Sequence, residues 1–364
     1  MNLELTDEQQ ALRETVRRLL AQTAGDPAKA WAGLVELGAV GVLVPEAYGG
    51  AGLTMVEAGI VAEELGRALL RAPWLATAVA APRALDRLGV ARDKAAGLLA
   101  GIAAGSTIAT VALFDHGEPA RVDRRGADLV LTGEKEDVPD AGTATVLLAL
   151  AEDDVGPGLF EVDVATSGVE LIPQPGLDAT RELFQVSFDA APARRLATAP
   201  ATAVQALVDD LFAAWAADAL GAAESLVELA VAYAKVRTQF GRPIGSFQAV
   251  QHLCVDMHAT VELARGGVLH ALWAADAPRV RGEERHLAAV RAKAFAGQLA
   301  AAGDTAIQVF GGIGFTWEHD AHRHLRRLLD WSAFRGPPGP YLQELGAHLA
   351  STASTASTQG DDHG

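Results

Sequence analysis

Apolar residues recur at helical spacing along most of the chain, and the exceptions divide it into parts. Leu12, Val16, Leu19 and Leu20 mark a first helix, entered through Thr6 and Gln9 as a capping box. A second helix is expected over 28–37, ending before Gly38 and the stretch VGVLVPEAYGGAGLT, where Pro45 and four glycines stop helical hydrogen bonding. From Thr54 one apolar face returns as Val56, Ile60, Val61, Leu65 and Leu69, and another helix follows Pro73. Between about 106 and 197 the pattern changes to short strand-like runs at 107–113, 129–132, 145–151, 158–164 and 183–188, separated by Gly, Pro, Asp and Ser. Such spacing suggests a small β-barrel or sandwich. Beyond 198 helix returns: 203–236 holds no proline and is rich in Ala, Leu, Val and Glu, which predicts a helix of roughly 30 residues. Further helices are expected over 247–275 and 283–302, then a segment from Thr305 to Phe310 broken by Gly311-Gly312-Ile313-Gly314, then a polar, His-rich helix from near Glu318.

The chain thereby reads as an α+β protein with an N-terminal helical domain (1–105), a central β-barrel or sandwich domain (106–197) and a C-terminal four-helix bundle (198–347). Residues 348–364, which include STASTASTQGDDHG, are polar and of low complexity and are expected to be a disordered tail.

One corner of the predicted bundle concentrates unusual chemistry. In VRTQFGRPIGSFQAVQ (236–251), Arg237 falls in the last turn of the long helix, Gly241 is available for a left-handed cap, and Pro243 forbids continuation. Ser246 reads as the N-cap of the next helix. A cation, two amides and two aromatic rings crowd one turn. A rigid guanidinium fork suits a pyrophosphate better than an ammonium does, which makes Arg237 a candidate phosphate ligand. Downstream, QVFGGIGF (308–315) offers Gln308 as a partner for an adenine or ribose edge, and Gly311 and Gly312 allow close backbone approach to a ligand.

Composition narrows the partners. At 364 residues, half of them hydrophobic, the chain can bury substantial cores. A net charge of −16 opposes binding to nucleic acid or an anionic membrane and favours a small molecule or another protein. A single cysteine, Cys254, excludes an internal disulfide and a thiolate metal cluster and fits a reducing cytoplasm. The amphipathic N-terminus is not a secretory signal, and no stretch is long and apolar enough to span a membrane, so a cytoplasmic location is expected. In EHDAHRH, His319 and His322 share a helix face with Glu318, but neighbouring Arg323, Arg326 and Arg327 and the lack of a third deep ligand set a metal site aside.

Together, VRTQFGRPIGSFQAVQ and QVFGGIGF closely resemble the two flavin-binding segments of the acyl-CoA dehydrogenase family, and the whole chain follows that family's order of domains, with an actinobacterial character. The helix, Pro-Glu-x-Tyr-Gly-Gly-x-Gly loop and Glu63-Glu64-Leu65-Gly66 match its N-terminal domain, and Gly133 and Lys135 match its β framework. The resemblance implies FAD as cofactor, an acyl-CoA substrate, an electron-transfer flavoprotein as acceptor, and a homo- or heterotetramer. It assigns Arg237, Gln239, Phe240, Phe247, Gln248, Gln308, Gly311 and Gly312 to the adenosine diphosphate half of an FAD that belongs to a neighbouring chain.

Three places depart from the family pattern. Where relatives carry Thr-Glu-Pro-x-Ala-Gly-Ser this chain has FDHGEPARVD, and where they carry a Trp against the isoalloxazine it has EDVPDAG. The common catalytic Glu, in a Glu-Gly pair after the Gly-Gly-x-Gly segment, is replaced by Arg335-Gly336. An arginine cannot act as a general base at neutral pH. Other members keep the base on the long helix before the flavin arginine; counting back reaches Leu211, with Asp210 beside it. Asp210, Ala214, Ala217 and Gly221 form a narrow stripe of small side chains able to admit a flat ligand, so Asp210 is the candidate base, against the simpler reading that Asp209 and Asp210 decorate an exposed turn. Two functions follow: an FAD-dependent acyl-CoA dehydrogenase with its own site, or a non-catalytic subunit that completes a partner's flavin site.

Overall fold

The computed structural model describes residues 4–280 and 282–360. Helix α1 (Asp7–Gln22) starts as expected: the Thr6 hydroxyl accepts from Gln9 N, and the Gln9 amide oxygen returns the bond to Thr6 N. Helices α2 (Pro27–Glu36) and α3 (Met55–Arg67) follow, the second capped by Thr54 and Glu57 in the same way. A wide π-type segment, Leu75–Ala80, leads into α4 (Ala81–Arg87), and α5 (Arg92–Ala103) closes the helical part.

The next segment runs through β1 (Ala109–Ala112), β2 (Phe114–Asp115), β3 (Arg121–Arg125), β4 (Asp128–Pro139), β5 (Val146–Asp153), β6 (Gly156–Asp163), β7 (Val169–Gln174) and β8 (Leu183–Thr198). Strand β4 pairs with both β3 and β8, and β3–β5, β5–β6 and β6–β8 complete the circuit, so the sheet closes on itself as a barrel. Leu131, Leu147, Phe160, Val162, Val186 and Phe188 fill its interior. The framework residues have clear physical jobs here. A Cβ at Gly133 would stand 2.7 Å from the Ala120 backbone, and buried Lys135 reaches Asp115 at 2.6 Å, so both tie β4 to the FDHGEPA loop.

Helix α6 (Ala201–Val236) is the axis of the rest. Around it pack α7 (Gln248–Asp276), α8 (Gly282–Ala294), α9 (Ala296–Phe310) and α10 (Ala321–Ala333). The helix expected over 283–302 is in fact two, broken at Phe295, and the second continues unbroken to Phe310. Between α6 and α7 lies a two-stranded hairpin, β9 (Thr238–Gln239) and β10 (Arg242–Pro243).

Three expectations need correction. Gly241, with φ +79°, serves the turn of this hairpin and not a helix cap, and Ser246 lies before α7, its hydroxyl donating to Pro243 O, while Phe247 takes the N-cap position without a side-chain bond. Helix α10 is not solvated all round: His322, His324, Leu325, Arg327, Leu328 and Trp331 are buried. The expected disordered tail is helical as far as Gly360, continuing α11 (Pro338–Gly360), because Ala, Ser and Thr extend a helix already started against α8; Ser351 and Thr352 donate their hydroxyls to His348 O. Residues 361–364 of that tail lie outside the described residues.

Candidate functional site

The two motif segments meet. Arg237 is the residue after α6, its N–H bonded to Tyr233 O, and the Tyr233 ring lies 5.1 Å from the ring of Phe310, which precedes Gly311. Arg237, Gln239, Gln248, Gln308, Gly311 and Gly312 are all exposed. The Arg237 guanidinium makes no hydrogen bond or ion pair with the described residues, so its donors are free for a ligand. Phe240 is 92 % exposed with φ +54°, a left-handed conformation costly for a bulky side chain and characteristic of functional turns. Phe247 supports it edge-on at 6.2 Å, and Arg242 lies 4.1 Å over the Phe247 ring. A Cβ at Gly311 or Gly312 would meet nothing within 4 Å, leaving open space beside both backbones. This corner fits an extended anionic ligand carrying an aromatic end: a free guanidinium, amide donors, bare backbone and an exposed ring.

A second site lies between barrel, α6 and α10. Leu65, Leu211, Trp215, Trp331 and Phe334 wall a cavity of about 60 Å³, room for roughly two waters at ~30 Å³ each and not for an acyl chain. Aromatic rings fill the rest: Phe334 stacks on Trp215 at 6.0 Å, 4° from parallel, and meets Phe114 edge-on at 6.4 Å. At its mouth Arg335, with φ +53°, lies 3.8 Å over the Phe114 ring and bonds Glu136 (3.2 Å) and Asp137 (3.3 Å). Deeper in, Arg327 and Arg181 bridge Asp178 and Asp218, pinning the β7–β8 loop to α6 and α10. Asp140 lines the same cavity without a hydrogen bond to its carboxylate, and burial lifts it to about 7 against the pull of Arg181, Arg327 and Arg71. Burial also raises Asp330.

Asp210 is not among the groups lining the cavity. It is fully buried on the opposite face of α6, accepting from Arg83 Nε (2.7 Å) and from Arg87 Nε and Nη2 (2.7 and 3.0 Å). Two guanidiniums occupy the lone pairs that a base would need. The small-residue stripe is likewise occupied by protein. A Cβ at Gly221 would stand 1.8 Å from Glu63 O, and one at Gly66 would stand 1.9 Å from Asp218 O, so the stripe lets α3 and α6 touch backbone to backbone. Asp209 is not decoration either; it is buried against His286. What sequence reasoning missed were the arginine partners, more than a hundred residues away in the chain. Among the described residues no group of three or more His, Cys, Asp or Glu could hold a metal, and no helix is long and apolar enough to cross a membrane.

Comparison with known proteins agrees with this architecture. The family described as acyl-CoA dehydrogenase, N-terminal domain, matches residues 6–106, and acyl-CoA dehydrogenase, C-terminal domain, matches residues 212–337. Acyl-CoA dehydrogenase IpdE2 of Mycolicibacterium smegmatis is 32 % identical over 95 % of this chain and 100 % of its own length. FadE34 of Mycobacterium tuberculosis is 36 % identical over 94 % of this chain, which spans 48 % of that longer protein. Among solved structures, the Tcur3481–Tcur3483 steroid dehydrogenase superposes with TM-score 0.84 at 30 % identity, covering 96 % of this chain and 99 % of that one. The ChsE4–ChsE5 complex of Mycobacterium tuberculosis superposes with TM-score 0.86 at 25 % identity, with the same coverage. Matched from end to end in sequence and in fold, the chain belongs to the acyl-CoA dehydrogenase family, whose members are FAD-dependent oxidoreductases.

Proposed function

We propose that this chain works as one subunit of a heteromeric, FAD-dependent acyl-CoA dehydrogenase in the cytoplasm. Its 237–248 and 308–312 segments hold the adenosine diphosphate half of a flavin whose ring and acyl-CoA lie in a related, neighbouring chain. The complex carries out α,β-dehydrogenation of the thioester, with FAD as hydride acceptor and an electron-transfer flavoprotein as the next carrier. The carrying observation is the contact of Arg335 with Glu136 and Asp137. In relatives the two segments involved face a flavin ring and a thioester lying between them; here they touch each other, and Phe114, Trp215 and Phe334 pack the space behind. The ring end of FAD therefore does not fit this chain, whereas the diphosphate end does.

The free Arg237 guanidinium suits the pyrophosphate, Gln308 and Gln248 suit adenosine edges, Gly311 and Gly312 admit the ligand backbone to backbone, and Phe240 offers an aromatic face beside Gln239 and Phe247. Asp210 then serves as the buried anchor of Arg83 and Arg87 rather than as base, and a carboxylate of the partner takes the proton. Two of the structural relatives are complexes of two differently named chains, and one of these is a steroid enzyme, which supports a heteromer and a bulky, sterol-derived acyl group. Arg237→Ala in the reconstituted complex tests the reading: FAD retention should weaken by about 1.5–3 kcal/mol, the range for a hydrogen bond to a charged group, with assembly unchanged. Full flavin retention in that variant would remove it.

A further inference from the structure

We propose that His286 is a proton-dependent clasp that fastens α11 to the helical bundle and, through it, fixes the elbow that carries Arg335. The imidazole on α8 lies between two carboxylates from two other helices: Nδ1 is 2.7 Å from Asp209 Oδ1 on α6, and Nε2 is 2.8 Å from Glu344 Oε1 on α11. An ionised carboxylate only accepts, so both ring nitrogens must carry protons for both bonds to exist. A neutral ring would turn a lone pair toward one carboxylate. Asp209 cannot swing into water to relieve that clash, because it is 2 % exposed and otherwise bonded only by Gln205 Nε2 at 3.0 Å. Glu344 is half-exposed and can leave, so it is the α11 side that lets go.

The clasp reaches the cleft through Tyr341. Its hydroxyl donates to Arg335 O at 2.7 Å, and its ring stands edge-on to Phe212 at 5.7 Å, so a shift of α11 moves the backbone that presents Arg335. The other charged groups in this layer are few. His348 of α11 faces Glu283 of α8 at 3.5 Å; His270 of α7 feels Arg291 and Glu284 of α8; and Lys293 of α8 donates to the carbonyls of Trp331 and Ser332, 5.8 Å from the Tyr341 ring. The bond to Asp209, opposed by burial and helped by Glu344, lifts His286 to about 9, while burial lowers Lys293 to about 8. A raised folded-state pKa means the clasp is fully made below the ordinary histidine range and opens as pH rises through about 9.

Amide hydrogen exchange on the full-length chain, expressed as protection factors so that intrinsic rates cancel, tests this between neutral pH and about pH 10. The first turns of α11 should lose at least about tenfold in protection with a midpoint near 9. His286→Gln should abolish the step, Glu344→Gln, at a half-exposed and tolerant position, should move the midpoint down, and Lys293→Met should leave the step in place. Flat protection in the unaltered chain, a step that survives His286→Gln, an unmoved midpoint in Glu344→Gln, or loss of the step in Lys293→Met would each overturn the clasp.

Discussion

Arg335 Nη1 lies 3.3 Å from Asp137 Oδ2, so the turn after α10 is bonded straight across to the rim of the barrel. Each residue alone reads as a lost family feature, a missing base and a missing aromatic; bonded together they close a cleft. Restoring the carboxylate should therefore not restore chemistry. Arg335→Glu would set three carboxylates against one another, with Glu136 and Asp137, and should cost about 0.5–1 kcal/mol, the scale of partly exposed charge pairs. Thermal unfolding reads the cost, and the variant should still purify colourless. A yellow protein that dehydrogenates acyl-CoA unaided would show that only the base had been missing.

Asp210→Asn separates anchor from base. Because the carboxylate is fully buried between Arg83 and Arg87, removing its charge strands two guanidiniums of which neither is more than 16 % exposed. A loss of about 3–5 kcal/mol is expected, the cost of breaking a buried pair from one side. Denaturant unfolding measures it. A variant as stable as the parent, but unable to reduce flavin in the complex, would return Asp210 to the catalytic role.

Gly221→Ala probes the helix crossing. Its new methyl would meet the Glu63 carbonyl at 1.8 Å, backbone against backbone, where no side chain can yield. Overpacking of this kind costs about 1–3 kcal/mol or more, read as a lower unfolding midpoint. If the stripe were instead a ligand groove, stability would hold and ligand binding alone would suffer.

Much of this was readable from residues whose reasons are local. Thr6 and Gln9 cap α1 because a hydroxyl and an amide three residues apart satisfy free backbone groups, and the proline-free run before Arg237 is one helix. Strand β3, Arg121–Arg125, was missed because only Val122 of its five side chains is buried, so it shows no alternation. The corner at Arg237 was legible because its chemistry sits in one short segment. The closed cleft was not, because it depends on Phe114 and Phe334 meeting across the whole chain, and Asp210 was misread because a count along a helix fixes a face but not what packs on it.

Asp140 offers a pH signature. Its folded-state value of about 7 stands above its ordinary 3.8, so the buried carboxyl favours the protonated form, and stability is lost as pH rises between those values. Asp140→Asn, which keeps the shape without the charge, should flatten that part of the stability profile and leave the variant more stable than the parent at and above neutral pH. An unchanged profile in equilibrium unfolding would show that the carboxyl is relieved by the arginines around it.

The most direct measurement is flavin content per chain. Purified alone, the protein should be nearly colourless, because only the diphosphate half of a site is present. Co-expressed with a related chain that keeps the ring-facing Trp and the base, it should yield a complex with about half an FAD per polypeptide, each flavin shared across one interface. A yellow protein from this chain alone, carrying a full complement of FAD and turning over acyl-CoA, would contradict the closed cleft and place both halves of the site in one kind of subunit.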